Sequence, residues 1–474
     1  MGLSIWIRRK YYKPIQELHH NYMGATDTDL TSAVVLAAGE GIRLRPLTAN
    51  RPKPMLPAGT RPILEHVLDA LVDAGIDDIH LVVGYKAERV RSHFGPTYRD
   101  VSLTYHTQTN QLGSGHALLQ ARGGIADSFL LVNGDQVIDT QIVEQVRETH
   151  NTAATMSIVE GSQAADYGAV TLAGNEVVTL TEQPTEGNFR LFNGGVYALS
   201  PEIFETLDTL SVDRGELPIT SALQSLIDSP DHTVAGVRTE GFWIDATHPW
   251  DLLSLAQELL DREWPDQPVA DDRYIAETAN IHPDSTITGP VVIDDDAVIE
   301  AGAVVGPYVS IGKNATIKAG SVLRDVVIDT DTTVGANTTA TELVVGQGCT
   351  IGSALTVAGG LTDVTLGEEV YSDIDIGGVV ADRGAIGGRA TLIPGTLIGP
   401  GAGLGDGGVV HGVIEGGSEG GRWCVGSSGG SGAGATTSAW GAGGPKSWGS
   451  TRPGPLRCPA TRWTPCGRSA RAKT

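Results

Sequence analysis

The sequence predicts two folded domains in series, an α/β domain with a mostly parallel sheet and then a parallel β-helix. Two observations carry that expectation. From Ser32 to about residue 265, apolar runs of strand length alternate with amphipathic helical segments. Beyond that the hydrophobic period changes to six, in repeats rich in Gly and small residues. The boundaries read as a disordered extension over 1–31, the α/β domain over 32–265, a linker over 266–280, the β-helix over 281–414 and a low-complexity tail over 415–474.

Each element follows from local pattern. Ala33 to Ala38 (AVVLAA) is a continuous apolar run followed by Gly39 and Gly41, then a turn region and a helix over Ile63–Ala74 with Ile63, Leu64, Val67, Leu68 and Leu71 on one side. Strands are expected at Ile79–Val83, Leu103–His106 and Phe129–Val132, with a helix over His116–Arg122 between the last two, which makes a βαβ series. Ligands of such sheets gather at the C-terminal strand ends, where Gly39, Gly41, Gly113, Gly115 and Asp135 all fall. A further helix is expected over Thr247–Glu263.

In the repeat region Ile281, Ile287, Ile293, Ile299, Val305, Ile311, Ile317 and Leu323 occupy every sixth position, as do Ile374, Val380, Ile386, Leu392, Ile398, Leu404 and Val410. The frame slips between these blocks and resumes locally at Ile328 with Val334, and at Val345, Ile351 and Val357. One aliphatic residue per six-residue side would stack into a continuous core, with roughly seven turns between Ile281 and Gly412.

Composition excludes several roles. The chain carries a net charge of -23, and residues 1–421 carry -31, because the eight charged residues from Arg422 onward are all basic. Such a body repels phosphate backbones and anionic lipid, and no apolar run approaches the roughly 20 residues that span a bilayer, so neither nucleic acid nor membrane is an expected partner. The body has few lysines (Lys10, Lys13, Lys53, Lys86, Lys313 and Lys318) and an excess of Asp and Glu, which suits a cytoplasm of high salt. Cys424, Cys458 and Cys466 lie in the tail and Cys349 stands alone, so neither a disulfide framework nor a zinc knuckle is expected. The tail mixes Gly, Ser, Pro, Arg and Trp without period and reads like a shifted reading frame; Met1–Tyr22 is similarly atypical, and Met23 is a plausible start.

The residues after the first strand carry the chemistry. Gly39 to Pro46 reads GEGIRLRP, with Arg43 just after the loop and Lys53 ten residues on in RPKPMLP. Backbone amides and two cations could surround a triphosphate there without a Walker sequence, although either cation alone could be a surface charge. The prolines flanking Lys53 are expected to hold it extended so that it reaches back over the loop.

AAGEGIRLRPLT, RPKPMLP, QLGSGHA (Gln111–Ala117), NGD (Asn133–Asp135), YGAV from Tyr167, TEQP from Thr181, FNGGVY from Phe192 and FWIDATHP from Phe242 occur in an order that resembles the sugar-1-phosphate nucleotidylyltransferases. The resemblance implies a Rossmann-like nucleotidyltransferase domain, a left-handed β-helix that associates as a homotrimer, and attack of a sugar-1-phosphate on the α-phosphorus of UTP or dTTP with release of pyrophosphate. It implies Mg²⁺ held by Asp135 and Asp245, and a nucleotide site of Ala38, Gly39, Gly41, Arg43, Lys53, Gln108 and Gly113. Arg43, Lys53 and Asp135 would be the catalytic groups, and Gly168, Glu182 and Asn193 would bind the sugar. Taken alone, Asp135 and Asp245 could be turn or cap residues, Gly168 a turn residue and Asn193 a strand-end cap. Ile42 replaces the usual Thr, and Gln183 stands where many relatives have a Lys on the sugar phosphate. His116 reads as a packing residue. The fusion also resembles bifunctional enzymes that acetylate an amino-sugar-1-phosphate, but His282 and His411 fit no acetyltransferase loop. A catalytically silent nucleotide-sugar sensor is the remaining alternative.

Overall fold

A computed structural model describes residues 30–161, 167–182, 190–212, 215–262 and 272–417. The expected N-terminal extension up to residue 29, Gln183 and the tail beyond 417 lie outside the described residues.

The first domain is built on a ten-stranded sheet. Its centre is parallel: Ser32–Ala37 lies between Asp78–Val83 and Phe129–Asn133, and Asp78–Val83 pairs onward with Val101–Thr107. These inner strands are apolar on both faces because helices cover both sides. Leu191–Leu199 then enters antiparallel between Phe129–Asn133 and Ala154–Glu160, so the half of the sheet beyond it is mixed. The first helix, Ile63–Asp73, buries Ile63, Leu64, Val67, Leu68 and Leu71 as its spacing requires. Two helices are shorter than their sequence patterns. The segment at His116 is helical over Ser114–Leu119 and then tightens to a 3₁₀ turn at Arg122–Gly124. The last helix runs over Asp251–Asp261, because the Asp251 carboxylate turns back to accept the N–H groups of Thr247 (2.9 Å) and His248 (2.7 Å).

The second domain is the left-handed parallel β-helix. Its first face stacks eight short strands, from Arg273–Ile275 through Val291–Ile293 and Val309–Ile311 to Val413–Ile414. Seven rungs form each of the other two faces among the described residues. The stretch 266–280, expected to be a linker, therefore already holds the first rung, since Arg273–Ile275 pairs in parallel with Val291–Ile293. The aliphatic residues at period six fill the interior, including Ile328, Val334, Val345, Ile351 and Val357 from the region of frame slip.

Two features explain that slip. Ile293 pairs with Ile311 eighteen residues on, but Ile311 pairs with Ile328 after seventeen, one residue being missing at the corner around Asp325 and another at the matching corner around Glu342, before Val345. Between the strands Thr356–Val357 and Gly378–Val380, an antiparallel hairpin of Leu361–Leu366 and Glu369–Asp375 leaves the coil altogether. Ile374, read as a coil residue, lies on this hairpin and is partly buried against the core between the domains. The hairpin's Tyr371 packs edge-on against His248 and Trp250, with ring centroids at 4.6 and 5.5 Å.

The two domains share a core. The middle residues of first-face strands, Val327, Val344, Val379 and Leu397, point away from the coil interior and are buried with Leu252, Leu253, Leu255 and Ala256 of the last helix and with Leu44, Leu47, Leu56 and Ala58. Each such aliphatic side chain is worth about 1.5–3 kcal/mol on full burial. Gln257 donates to Asp325 (2.7 Å) and Tyr308 to Asp261 (2.8 Å) at the margin. No helix among the described residues is long and apolar enough to cross a membrane.

Candidate functional site

A cleft of about 430 Å³ opens over the C-terminal ends of the central strands. Ala38, Gly39, Gly41, Lys53, Gln108, Gly113, Asp135, Glu182 and Asn193 all line it.

On one side, the loop after Ser32–Ala37 turns through Gly41, whose φ of +63° is in the left-handed region. A Cβ there would stand 2.8 Å from the Cβ of Lys53, so glycine is required both by conformation and by the approach of the lysine segment. Thr48 Oγ1 donates to the Gly41 carbonyl at 2.7 Å and holds the loop down. Gly39 has open space about it. Gln108 is buried; its Nε2 donates to the Gly113 carbonyl and to His116 Nδ1, both at 3.0 Å. Gly113 has φ +94° and lies against the backbone of Leu217, which ties the QLGSGHA segment to the turn before helix Ile219–Asp228.

On the other side, a bulge aims Asn193 into the cleft. The register of Leu191–Leu199 on Ala154–Glu160 shifts between Asn193 and Tyr197, with Gly195 at φ +73° where a side chain would strike Asn133 and Gln136. Asn193 Nδ2 donates to the Tyr197 hydroxyl (2.6 Å), and the Asn193 N–H donates to the carbonyl of Gly168 (2.9 Å). Gly168 thus supports the cleft wall without lining it. Glu182 accepts a hydrogen bond from Thr220.

At the floor, Trp243–Asp245 pairs antiparallel with Gln136–Ile138, which sets Asp245 opposite Gln136 and beside Asp135. Lys53 Nζ contacts both carboxylates, lying 3.0 Å from Asp135 Oδ2 and hydrogen-bonded to Asp245 Oδ1. Thr247 Oγ1 donates to Asp245 Oδ2 at 3.1 Å. Burial works against the Lys53 charge, but the two carboxylates outweigh it and raise the ammonium pKa. Burial raises the Asp245 pKa, with Lys53 opposing and Asp135 reinforcing the shift. Asp135 keeps 41 % of its side chain exposed against 14 % for Asp245, so Asp135 is the carboxylate open to the cleft. One ammonium between two carboxylates leaves a net negative charge at the floor.

Two expectations are corrected by this geometry. The Lys53 segment is not extended: Pro52 is (φ -74°, ψ 156°), but Lys53–Met55 closes a 3₁₀ turn, which proline tolerates in its first positions because no N–H is needed there. Arg43 does not line the cleft. It sits in the 3₁₀ turn Ile42–Leu44, where Leu44 is drawn into the core between the domains and leaves Arg43 exposed near Tyr371, whose hydroxyl feels its charge.

Residues 32–262 match the nucleotidyl transferase family model, and residues 287–377 match the GMPPB C-terminal domain. The UTP-glucose-1-phosphate uridylyltransferase AglF of Haloferax volcanii is 37 % identical over 233 residues, which are 48 % of this chain and 96 % of that protein. The chain belongs to the nucleotidyl transferase family. A second Haloferax volcanii member, the low-salt glycan biosynthesis nucleotidyltransferase Agl11, is 32 % identical over 56 % of this chain and 73 % of its own length. The bifunctional protein GlmU of Methanococcus vannielii is 35 % identical over 271 residues, 56 % of this chain. The match spans 61 % of that relative, and 54 % of the Methanococcus maripaludis protein of the same name.

Sequence reasoning missed part of the cleft in this family member. Gln111 donates to the Ala38 carbonyl (3.2 Å), and Glu216, Ile219 and Thr220 complete the wall beside Glu182. The signal was present in GELPIT, a Gly-Pro turn that opens a helix after a polar stretch.

Proposed function

We propose that the chain joins a sugar-1-phosphate to UTP or dTTP and releases pyrophosphate, in a Mg²⁺-dependent reaction. The observation that carries this reading is the meeting of Lys53, Asp135 and Asp245 at the cleft floor, between the glycine loop and the wall of Glu182 and Asn193. The donor set fits the metal: two hard carboxylates with a residual negative charge, and no group of three His, Cys, Asp or Glu among the described residues, suit an ion that keeps waters and takes phosphate oxygens. Held by Asp135 and Asp245, Mg²⁺ would supply charge neutralisation at the α-phosphate and the sugar phosphate.

The chain's own groups then have distinct tasks. A sugar-phosphate oxygen bonds to the α-phosphorus as the bond to the β-phosphate oxygen breaks, so the need is for alignment and cations rather than a base. Backbone amides at Ala38, Gly39 and Gly41 cradle the triphosphate, and Lys53 balances its charge from the floor. Gln108 and Gly113 face the nucleobase. Glu182 and Asn193 bind sugar hydroxyls, with Gly168 fixing Asn193. The acidic, lysine-poor body and the two Haloferax relatives support a salt-adapted cytoplasmic enzyme, and the β-helix supports a homotrimer.

The test is pyrophosphate release in high-KCl buffer with Mg²⁺, from UTP or dTTP against glucose-1-phosphate or N-acetylglucosamine-1-phosphate. Release should require both substrates and fall at least about 100-fold in Asp135→Ala. No release from folded protein in any combination overturns the reading in favour of a sensor.

A further inference from the structure

Two residues before Lys53, Arg51 leaves the first domain and enters the second. Its Nη1 lies 2.6 Å from Asp329 Oδ2 and its Nη2 lies 3.1 Å from Asp382 Oδ1. All three residues are at least 94 % buried, with relative exposures of 6 %, 6 % and 4 %. The carboxylates are themselves fixed, Asp329 accepting from the Thr330 N–H (2.7 Å) and Asp382 from the Gln347 N–H (3.1 Å). They follow first-face strands two rungs apart, and the rung between turns at Gly346. A Cβ on Gly346 would stand 2.6 Å from Asp382 Oδ1, so the coil keeps a notch there that a side chain would fill. Burial disfavours the guanidinium charge, but Asp329 and Asp382 outweigh it.

The segment between Arg51 and the cleft is stiff. Pro52 and Pro54 flank Lys53, the turn closes through the Lys53 carbonyl to the Leu56 N–H (2.9 Å), and the Lys53 Cβ bounds the space beside Gly41. A displacement of Arg51 therefore moves both the lysine and the glycine loop. A buried ion pair is a poor source of stability compared with apolar side chains of similar volume. The fork instead supplies position.

We propose that Arg51 is a positioning residue, and that the β-helix notch of Asp329, Gly346 and Asp382 sets the place of Lys53 in the cleft. This rests on the nucleotidylyl transfer proposed above. The second domain is then part of the transferase site and more than an oligomerisation module.

The experiment compares Arg51→Met and Asp382→Asn with the unaltered full-length chain, measuring kcat and KM for both substrates in high KCl, with thermal unfolding alongside. Arg51→Met should lower kcat about 10- to 100-fold with KM changed less than about threefold, as a small misplacement of a reacting group does. Asp382→Asn, which keeps shape, should lower kcat in the same direction by less, and it serves if Arg51→Met does not fold. On a Lys53→Met background, Arg51→Met should cost no further activity. An unchanged kcat in an active, folded enzyme overturns this proposal alone. So does a loss of equal size on the Lys53→Met background, which would mark a general structural role. An inactive unaltered chain overturns the parent reading and this one with it.

Discussion

The first face of the β-helix and its other two faces are lined inside by the same residues and differ outside. The inward positions that carry the period of six are Ile, Val or Leu apart from Ala340, for example Ile311, Ile317 and Leu323 in successive sides of one turn. Outward positions on the second face read Thr316, Thr333 and Thr350, and on the third Thr339, Thr356 and Thr391, each exposed or half-buried. On the first face the outward positions from Tyr274 to Leu397 are Tyr274, Val292, Ser310, Val327, Val344, Val379 and Leu397, all buried and, apart from Ser310, apolar or aromatic. The inward residue decides that a coil forms, and the outward residue decides what a face meets. In this chain the apolar outward row is the seat of the transferase domain.

The largest effect should come from breaking that difference. Val344→Asp places an unpaired carboxylate between the domains and should lower unfolding stability by several kcal/mol in urea melts, or leave the chain insoluble. Thr350→Asp, one side further round the same turn, should stay within about 0.5 kcal/mol of the parent chain. Equal effects at the two sites would mean that the first face is not the seat.

A smaller effect sharpens the same comparison through pH. His66 is buried on helix Ile63–Asp73 and donates Nε2–H to the carbonyl of Ala58 (3.0 Å), a residue packed in the core beneath the first face. Burial, with help from the Arg61 charge, pushes its pKa down to about 4. The unfolded chain takes up the proton first as pH falls, so stability present above about pH 6.5 is lost on the way to pH 4. At about 1.4 kcal/mol per unit the loss is about 3 kcal/mol. His66→Gln, which keeps a donor and cannot titrate, should flatten the acid limb of a stability-pH curve by about that amount. A parallel curve for the variant would show that His66 is not the group responsible.

What the sequence makes legible follows the range over which each contact acts. Gly41, Lys53, Asp135 and Asp245 sit in short motifs whose spacing is set by one turn or one strand end, and the structure brings three of them to the cleft lining and Asp245 to its floor. The period of six marks the coil because every rung repeats one local requirement. The hairpin of residues 361–375 is hidden because Ile374 happens to fall in frame while its strand pairs with Leu361–Leu366. Arg43 is misread because Leu44 answers to the second domain, and Arg51 is overlooked because its partners lie about 280 and 330 residues away. The first-face triplets, Val291-Val292-Ile293 and Val326-Val327-Ile328, held the missing signal, since a coil alone needs only one apolar residue in each.

The smallest effect tests whether the exposed faces carry a second apolar row of their own. On the third face Val322 and Val409 stand outward at 41 % and 62 % exposure in a ladder otherwise made of threonine and Val304. Valine and threonine have nearly the same shape and similar strand preference, so exchanging one for the other changes little except the affinity for apolar contact. If the third face meets only solvent, Val322→Thr should shift the unfolding midpoint by no more than about 0.5 kcal/mol, and equally at low and high protein concentration. If copies of the chain pack through this face, the loss should be larger at high protein concentration and should shrink as the protein is diluted, because association stabilises the folded chain by mass action. A concentration-dependent loss would move the third face into the class of the first, and an outward valine would then mark a partner wherever it recurs in the coil.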